Sequence, residues 1–256
     1  ITNRVVSFDN PYSSSILTTN VSVLSLYDNS GLSSMHRNVF RGFNLGSSLT
    51  SDQKTVIQNG TFAGLWLGDY WVIGGVNWRI VDIDYWYGLG DTPFNTHHLV
   101  IMPDNTLYNT TMNNSSITDM GYGGSLMRST NLNGAKTTIN AAFPSAVLTR
   151  RDLFSSSASN GNITNYNWYS TTVEIPSETM MFGNKFYGTD QSTISTSQLS
   201  LFATKPSFIR PSNPAMSWLN NVNSADEFAG IHTYGNPDFF GANESVGVRP
   251  VFAIGV

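Results

Sequence analysis

The chain has 256 residues, enough for one large domain or a domain with an appendage, and 40% of them are hydrophobic, so a sizeable core is within reach. Only 12% are charged, the net charge is -4 with Lys and Arg scattered, and cysteine is absent. That excludes a clustered basic face for nucleic acid, a disulfide framework, thiolate catalysis and Cys-bound metal. No apolar run is long enough to span a bilayer and no signal peptide opens the chain; Ile1 in place of Met reads as a processed or trimmed start.

Polarity is carried by Asn, Ser and Thr, a mixture that suits short strands and long hydrogen-bonded loops. Residues 1–45 differ from the rest. "VVSFDNPYSSSILTTNVSVLSLYDNSGLSSM" offers short β-type runs between Ser/Asn/Gly turns, with too little periodic apolar content for a core of its own. It reads as an assembly arm or a lead-in from a larger protein, or alternatively as extra strands of the same domain. Residues 46–256 form the main domain. "LTSDQKTVIQNG" predicts a short helix capped by Thr50 or Ser51 and closed by Gly60. "GDYWVIGGVNWRIVDIDYWY" predicts a hairpin turning at Gly74-Gly75, and "HHLVIMP" a strand entering the core at Leu99 to Met102. In "LNGAKTTINAAFP", Ala135, Ile139 and Phe143 share one helical face ahead of Pro144. "AVLTRRDLF" and "STTVEI" are strand-like, and "PSETMMFGN" is a helical turn closed by Gly183 and Asn184. Mixed strands and short helices without a βαβ rhythm define an α+β domain with much irregular loop. The last stretch, "FAGIHTYGNPDFFGANESVGVRPVFAI", is apolar at both ends and loaded with aromatic and polar groups between them.

Few groups suggest chemistry. Adjacent residues on a strand face opposite ways, so His97 and His98 do not share one ion; one is expected inward and hydrogen-bonded, the other outward. Asp82 with Asp84, and Glu174 with Glu178, loosely fit the carboxylate pairs of glycoside hydrolysis. No G-x-S-x-G elbow or phosphate loop is present. Trp71 and Trp78 read as core. Trp86-Tyr87 and Tyr166, Trp168, Tyr169 lie in Gly- and Asn-rich surroundings and are candidates for the surface, where aromatic faces stack on sugar rings and amides bond their hydroxyls. Core or loop packing is the alternative for each.

The order "LGDYWVIGGVNWRIVDIDYWYGLGDT", "THHLVIMPDNTLYNTTMN", "GYGGSLMRS", "INAAFPSAVLTRRDLF", "WLNNVNSADEFAGIHTYG" and "GVRPVFAI" resembles structural proteins from phages and prophages of Gram-positive bacteria. Those proteins carry a C-type-lectin-like domain, a fold shared with formylglycine-generating enzymes and the variable proteins of diversity-generating retroelements. The resemblance covers about residues 36–256. It implies that the last strands are core and that the segment between the W-L and G-V-R-P motifs is an exposed ligand-binding face. Trp218-Leu219 and Gly247-Val248-Arg249-Pro250 occupy the anchor places, with Trp71, Trp78, Trp218, Arg249, Pro250 and Phe252 structural. Arg249 is expected to be satisfied by carbonyls or a carboxylate. The implied binding face comprises Asn220, Asn221, Asn223, Asp226, Glu227, His232, Tyr234, Asn236, Asp238, Phe239, Phe240, Asn243 and Glu244. Two features depart from relatives of that fold. Only Asn236-Pro237-Asp238 approaches the calcium-lectin motif, and its partner motif is missing; the enzyme branch depends on cysteine. No metal, cofactor or catalytic residue is therefore expected.

The expectation is a virion protein, displayed on the particle surface, that binds a host cell-surface glycan or protein and contacts other virion proteins and copies of itself. It is not expected to bind nucleic acid or insert in a membrane. The alternatives are a purely architectural head or tail component and a cell-wall polysaccharide hydrolase.

Overall fold

The computed structural model describes residues 33–189 and 197–256. The described chain is α+β, mostly short antiparallel strands with a few short helices. A first sheet contains β1 (Tyr70–Ile73), β2 (Val76–Ile83), β3 (Leu99–Pro103), β12 (Val251–Ile254) and β7 (Val173–Glu174), in that spatial order. A second runs β10 (Pro237–Gly241), β9 (Glu227–Ile231), β8 (Ser217–Val222), β11 (Val246–Val248) and β4 (Tyr108–Thr110). β5 (Arg150–Ser159) and β6 (Asn162–Thr171) form a separate long hairpin.

The predicted elements form for the reasons their residues supply. Gly74 and Gly75 have φ of 61° and 77°, the two positive values that a tight two-residue turn demands, and Ile73 pairs with Val76 across it. α2 (Ser51–Gln58) starts on a reciprocal cap: Thr50 Oγ1 accepts from Gln53 N–H at 3.2 Å, and Gln53 Oε1 accepts from Thr50 N–H at 3.0 Å. α3 (Asn133–Ala142) buries Ala135 and Ile139, and Phe143 follows them into the core. α4 (Glu178–Phe182) is capped by Ser177 and stopped by Gly183 in the left-handed region. α5 (Ser200–Thr204) has no sequence signal strong enough to predict it.

Two apolar clusters hold the sheets. Trp71, Trp78, Phe143 and Phe252 meet edge to face or tilted, with centroids 5.7–5.9 Å apart, at the centre of the first. Val100, Met102, Val251 and Ala253 on the opposite face of the first sheet join Met180, Met181, Leu201 and Phe202 in the second. The segment GVRPVFAI crosses between sheets: β11 belongs to one, β12 to the other, and Arg249-Pro250 is the corner. Arg249 is buried there, donating to the carbonyls of Pro103 (2.9 Å), Phe208 (3.0 Å) and Ile209 (2.8 Å). Burial lowers its pKa to about 10, so the guanidinium is still charged at neutral pH.

The predicted arm, residues 1–45, is described only in part. Residues 1–32 lie outside the described residues, but 33–45 pack on the domain. In α1 (Ser33–Asn38), buried His36 stacks on Trp66 with centroids 4.1 Å apart and donates from Nδ1 to Leu65 O. Arg37 pairs with buried Asp82, and Arg41 with buried Asp69. Ionic groups without helical or strand periodicity make these contacts, so patterning did not reveal them.

Phe240 is buried, its ring 5.7 Å from Trp218, whereas its neighbour Phe239 is 38% exposed. Phe252→Ala and Phe240→Ala should each lower unfolding free energy by about 3–5 kcal/mol. Phe239→Ala should cost less than about 1 kcal/mol. Denaturant melts of the three variants check this ordering.

Candidate functional site

The structure separates the residues expected to form one binding face. Asn220 and Asn221 are buried in β8 and must leave the list: Asn220 Nδ2 donates to Ile175 O, and Asn221 Oδ1 accepts from Glu178 N–H at 2.7 Å. Phe240 leaves it as core. Strand alternation explains the last, since adjacent Phe239 and Phe240 point to opposite faces. Asn223 and Asp226 lie in the β8–β9 connection and Glu227 opens β9, near Asn243 and Glu244; Ala242 N–H donates to Asp226 O. This end is internally bonded: Asn223 Nδ2 reaches Glu227 Oε2 at 2.8 Å and Ser224 Oγ bonds both Asp226 and Glu227. His232, Tyr234 and Asn236 occupy the β9–β10 turn at the opposite end of the same strands, closed by His232 N–H to Asn236 O at 2.9 Å. Tyr234 is 74% exposed there, its ring beside His232.

Between those ends, the sequence missed the companions of Phe239. Phe186 and Tyr187, in the loop after α4, are 57% and 38% exposed, and Tyr187 meets Phe239 edge-on with centroids 5.0 Å apart. Phe182 backs Phe186 at 5.6 Å. The loop carrying these rings is fixed by buried Glu178: its carboxylate accepts the backbone N–H groups of Phe186 (3.2 Å), Tyr187 (3.0 Å) and Gly188 (2.8 Å). Gly188 has to be glycine, because a Cβ would lie 2.7 Å from Asn221 Cβ and 2.9 Å from the carboxylate. Thr189 then bonds Val222 O and Gly161 O. The result is an exposed ridge in which Tyr187 meets Phe239 and Phe186, next to Tyr187 in the held loop, packs on Phe182, with Asn184 and Asp238 nearby in sequence. The available signal was "ETMMFGNKFYG": a Glu at a helix start followed, after a Gly turn, by two aromatics and a Gly. Asp238 and Glu244 serve the edge strand itself, accepting from Phe239 N–H at 2.9 Å and Gly241 N–H at 3.0 Å.

The other candidates are occupied by structure. His98 is buried with Nε2 accepting Trp86 N–H and Nδ1 donating to Thr96 O, and burial lowers its pKa to about 4. His97 points the other way, its Nδ1 at 2.7 Å from Asp84 and its ring stacked on half-exposed Tyr87. Trp86, expected as a surface candidate, is buried under Arg150. Tyr166, Trp168 and Tyr169 are half-buried along β6. Asp82 is buried and bonds Arg37 and Ser200, while Asp84 sits beyond the strand end at φ 54°, so the two do not share a face. Glu174 is buried among Tyr122, Thr171 and Arg128, far in role from Glu178. Among the described residues no group of three His, Asp or Glu is arranged to hold a metal, and no helix is long and apolar enough to cross a membrane.

No family model, curated protein or solved structure matches this chain.

The network around Glu174 gives a pH test. Burial pushes the Asp152 carboxyl up to about 6, opposed by Arg150 and reinforced by Glu174. Between the unfolded value near 4 and about 6, the folded state holds a proton that the unfolded chain has released, so this group's contribution to stability falls as pH rises through that window. Asp152→Asn removes the titration. Its stability relative to the parent chain should shift in the variant's favour by about 2–3 kcal/mol between pH 4 and pH 7. Urea melts of both proteins at the two pH values measure it; His98 and other groups common to both cancel.

Proposed function

We propose that this chain is a virion protein of a phage of Gram-positive bacteria, in which a C-type-lectin-like domain binds the host cell surface. The observation that carries the reading is the exposed ridge of Phe186, Tyr187 and Phe239, in which the loop of the first two is held by a buried carboxylate on three backbone amides and Tyr187 meets Phe239 on β10. A soluble fold gains nothing from fixing three apolar rings in water; a binding surface gains affinity from preorganised aromatic anchors. Exposed Asn184 and Asn236 in the flanking turns supply amides for hydroxyl groups, which favours a cell-wall or surface glycan, with a surface protein as the alternative ligand. Support for the fold comes from the anchors: Trp218, Leu219, Val248 and Phe252 are fully buried, and the final strand lies inside the first sheet. The proposed ligand face is narrower than the sequence implied, one aromatic ridge between β10 and the loop after α4, with Tyr234 at the β9–β10 turn.

Binding to a panel of Gram-positive cells and their purified walls tests the reading. Tyr187→Ala with Phe239→Ala should cost about 2 kcal/mol or more of affinity, near thirtyfold, at little cost in stability. Asn243→Ala, at the remote end, should bind as the parent does. Full binding by the double variant contradicts the ridge assignment. Absence of binding by the parent chain across the panel favours the architectural reading.

A further inference from the structure

Residues 113–129, "NNSSITDMGYGGSLMRS", supply nothing to the aromatic ridge, yet they fold around a cleft of their own. Asn113 clamps its walls together: Oδ1 accepts from Leu126 N–H at 2.9 Å and Nδ2 donates to Ile117 O at 2.7 Å. Asn113 N–H donates to Ala242 O at 2.8 Å and Met127 N–H to Met112 O at 2.9 Å, which ties the clamp to the body of the domain. Gly124 has to be bare here, because a Cβ would lie 2.8 Å from Met120 Cβ and 2.9 Å from Met120 O. Beyond Leu126 the chain makes one turn of π-helix, Met127–Asn131, the only such turn among the described residues, and Ser129 on it lines the cleft. Single π turns are rare and are found disproportionately at functional sites.

The lining is uncharged and holds no aromatic ring. Asn114 and Ser115 are exposed, and their side chains bond nothing among the described residues. Ser129 Oγ donates to Ser125 O at 3.0 Å, which leaves its oxygen to accept. Ile117 and Met120, 47% and 60% exposed, and half-buried Leu126 add apolar surface. Amides and hydroxyls beside a small apolar wall suit a ligand with hydroxyl groups and one small apolar group, and the uncharged lining offers nothing to an ion. The volume of about 250 Å³ falls below the roughly 300–1,000 Å³ of pockets for drug-sized ligands, which limits the occupant to a single small ring.

We infer that this cleft binds one uncharged hexose unit bearing a methyl group, as an acetamido or a 6-deoxy sugar. The methyl packs on Ile117, Met120 and Leu126, and the hydroxyls bond Asn114, Ser115 and Ser129. Met120, unbranched and adaptable, accommodates either placement of the methyl. The cleft shares no residue with the aromatic ridge, so its ligand does not depend on what the ridge binds.

A chemical-shift titration of the ¹⁵N-labelled full chain with N-acetylglucosamine, rhamnose and glucose tests the site. A methyl-bearing sugar should shift the amides of residues 113–129 with a Kd of about 1 mM, the range open to so small a ligand. Glucose should bind about fourfold more weakly, the share of one buried methyl-sized group. Ser129→Leu, at an exposed helical position, fills the cleft and should weaken the sugar at least about tenfold. Met120→Ala, which keeps the cleft open, should bring the methyl-bearing sugars close to glucose. Tyr187→Ala with Phe239→Ala should bind the sugars as the parent does. The inference is overturned if no sugar shifts these amides, if Ser129→Leu and Met120→Ala both bind as the parent does, or if only the ridge variant loses the sugar. Whole-cell binding by the ridge variants is read separately, so either site can fail alone.

Discussion

Buried carboxylates that accept backbone N–H groups from loops are the constraint on which the rest of this structure depends. The chain carries few charges, and much of that charge is spent inside. Asp69 accepts from Phe43 and Trp66 N–H while pairing with Arg41; Asp82 accepts from Ser200 N–H while pairing with Arg37; Glu178 accepts from three successive amides. Arg249 does the converse with three carbonyls. Burying such groups costs several kcal/mol each and is recovered only when every lone pair finds a partner, so each site tolerates one loop geometry and rejects others. A fold whose strands average a few residues gains from these tethers the definition that longer sheets gain from their ladders.

The surface follows from that allocation. With the charges turned inward, Asn, Ser and Thr face water, and exposed apolar groups concentrate where a tether holds them. Glu178 reaches back over its own loop, Gly188 admits the close approach, and the rings of Phe186 and Tyr187 are left exposed, Tyr187 against Phe239. Asp238 on β10 and Glu244 in the turn after it cap the N–H groups of Phe239 and Gly241, which keeps this edge from pairing with another molecule. β10 is thereby equipped for side-chain contacts.

Much of the frame was legible from local rules. Gly74-Gly75 fixed a turn, Thr50 and Gln53 a cap, and the spacing of Ala135, Ile139 and Phe143 a buried helical face. Trp71, Trp78, Trp218 and Phe252 were readable as core because large apolar residues at strand positions have few other places to go. The long hairpin was only half legible: β5 reads as a strand, but polar β6 alternates Asn with aromatics and carries no apolar stripe. The site was the least legible part. The segment between Trp218 and Gly247 was read as one face, yet β8 is central, which buries Asn220 and Asn221, Phe240 turns to the core face of β10, and its turns fall at opposite ends. Phe186 and Tyr187 lie more than 40 residues away in sequence, joined to Phe239 only through tertiary contact. No periodicity reports a carboxylate that binds loop amides.

Amide hydrogen exchange at Phe186, Tyr187 and Gly188, compared between the parent chain and Glu178→Gln, tests this account most directly. A glutamine keeps one acceptor oxygen but turns an N–H donor toward the remaining amide, so the mount is broken without changing side-chain size. The account predicts that these three amides are protected in the parent although they lie in a surface loop, and that the substitution releases them selectively while the Phe252 amide in β12 stays protected. Free exchange of the three amides in the parent, or unchanged protection after the substitution, would contradict it.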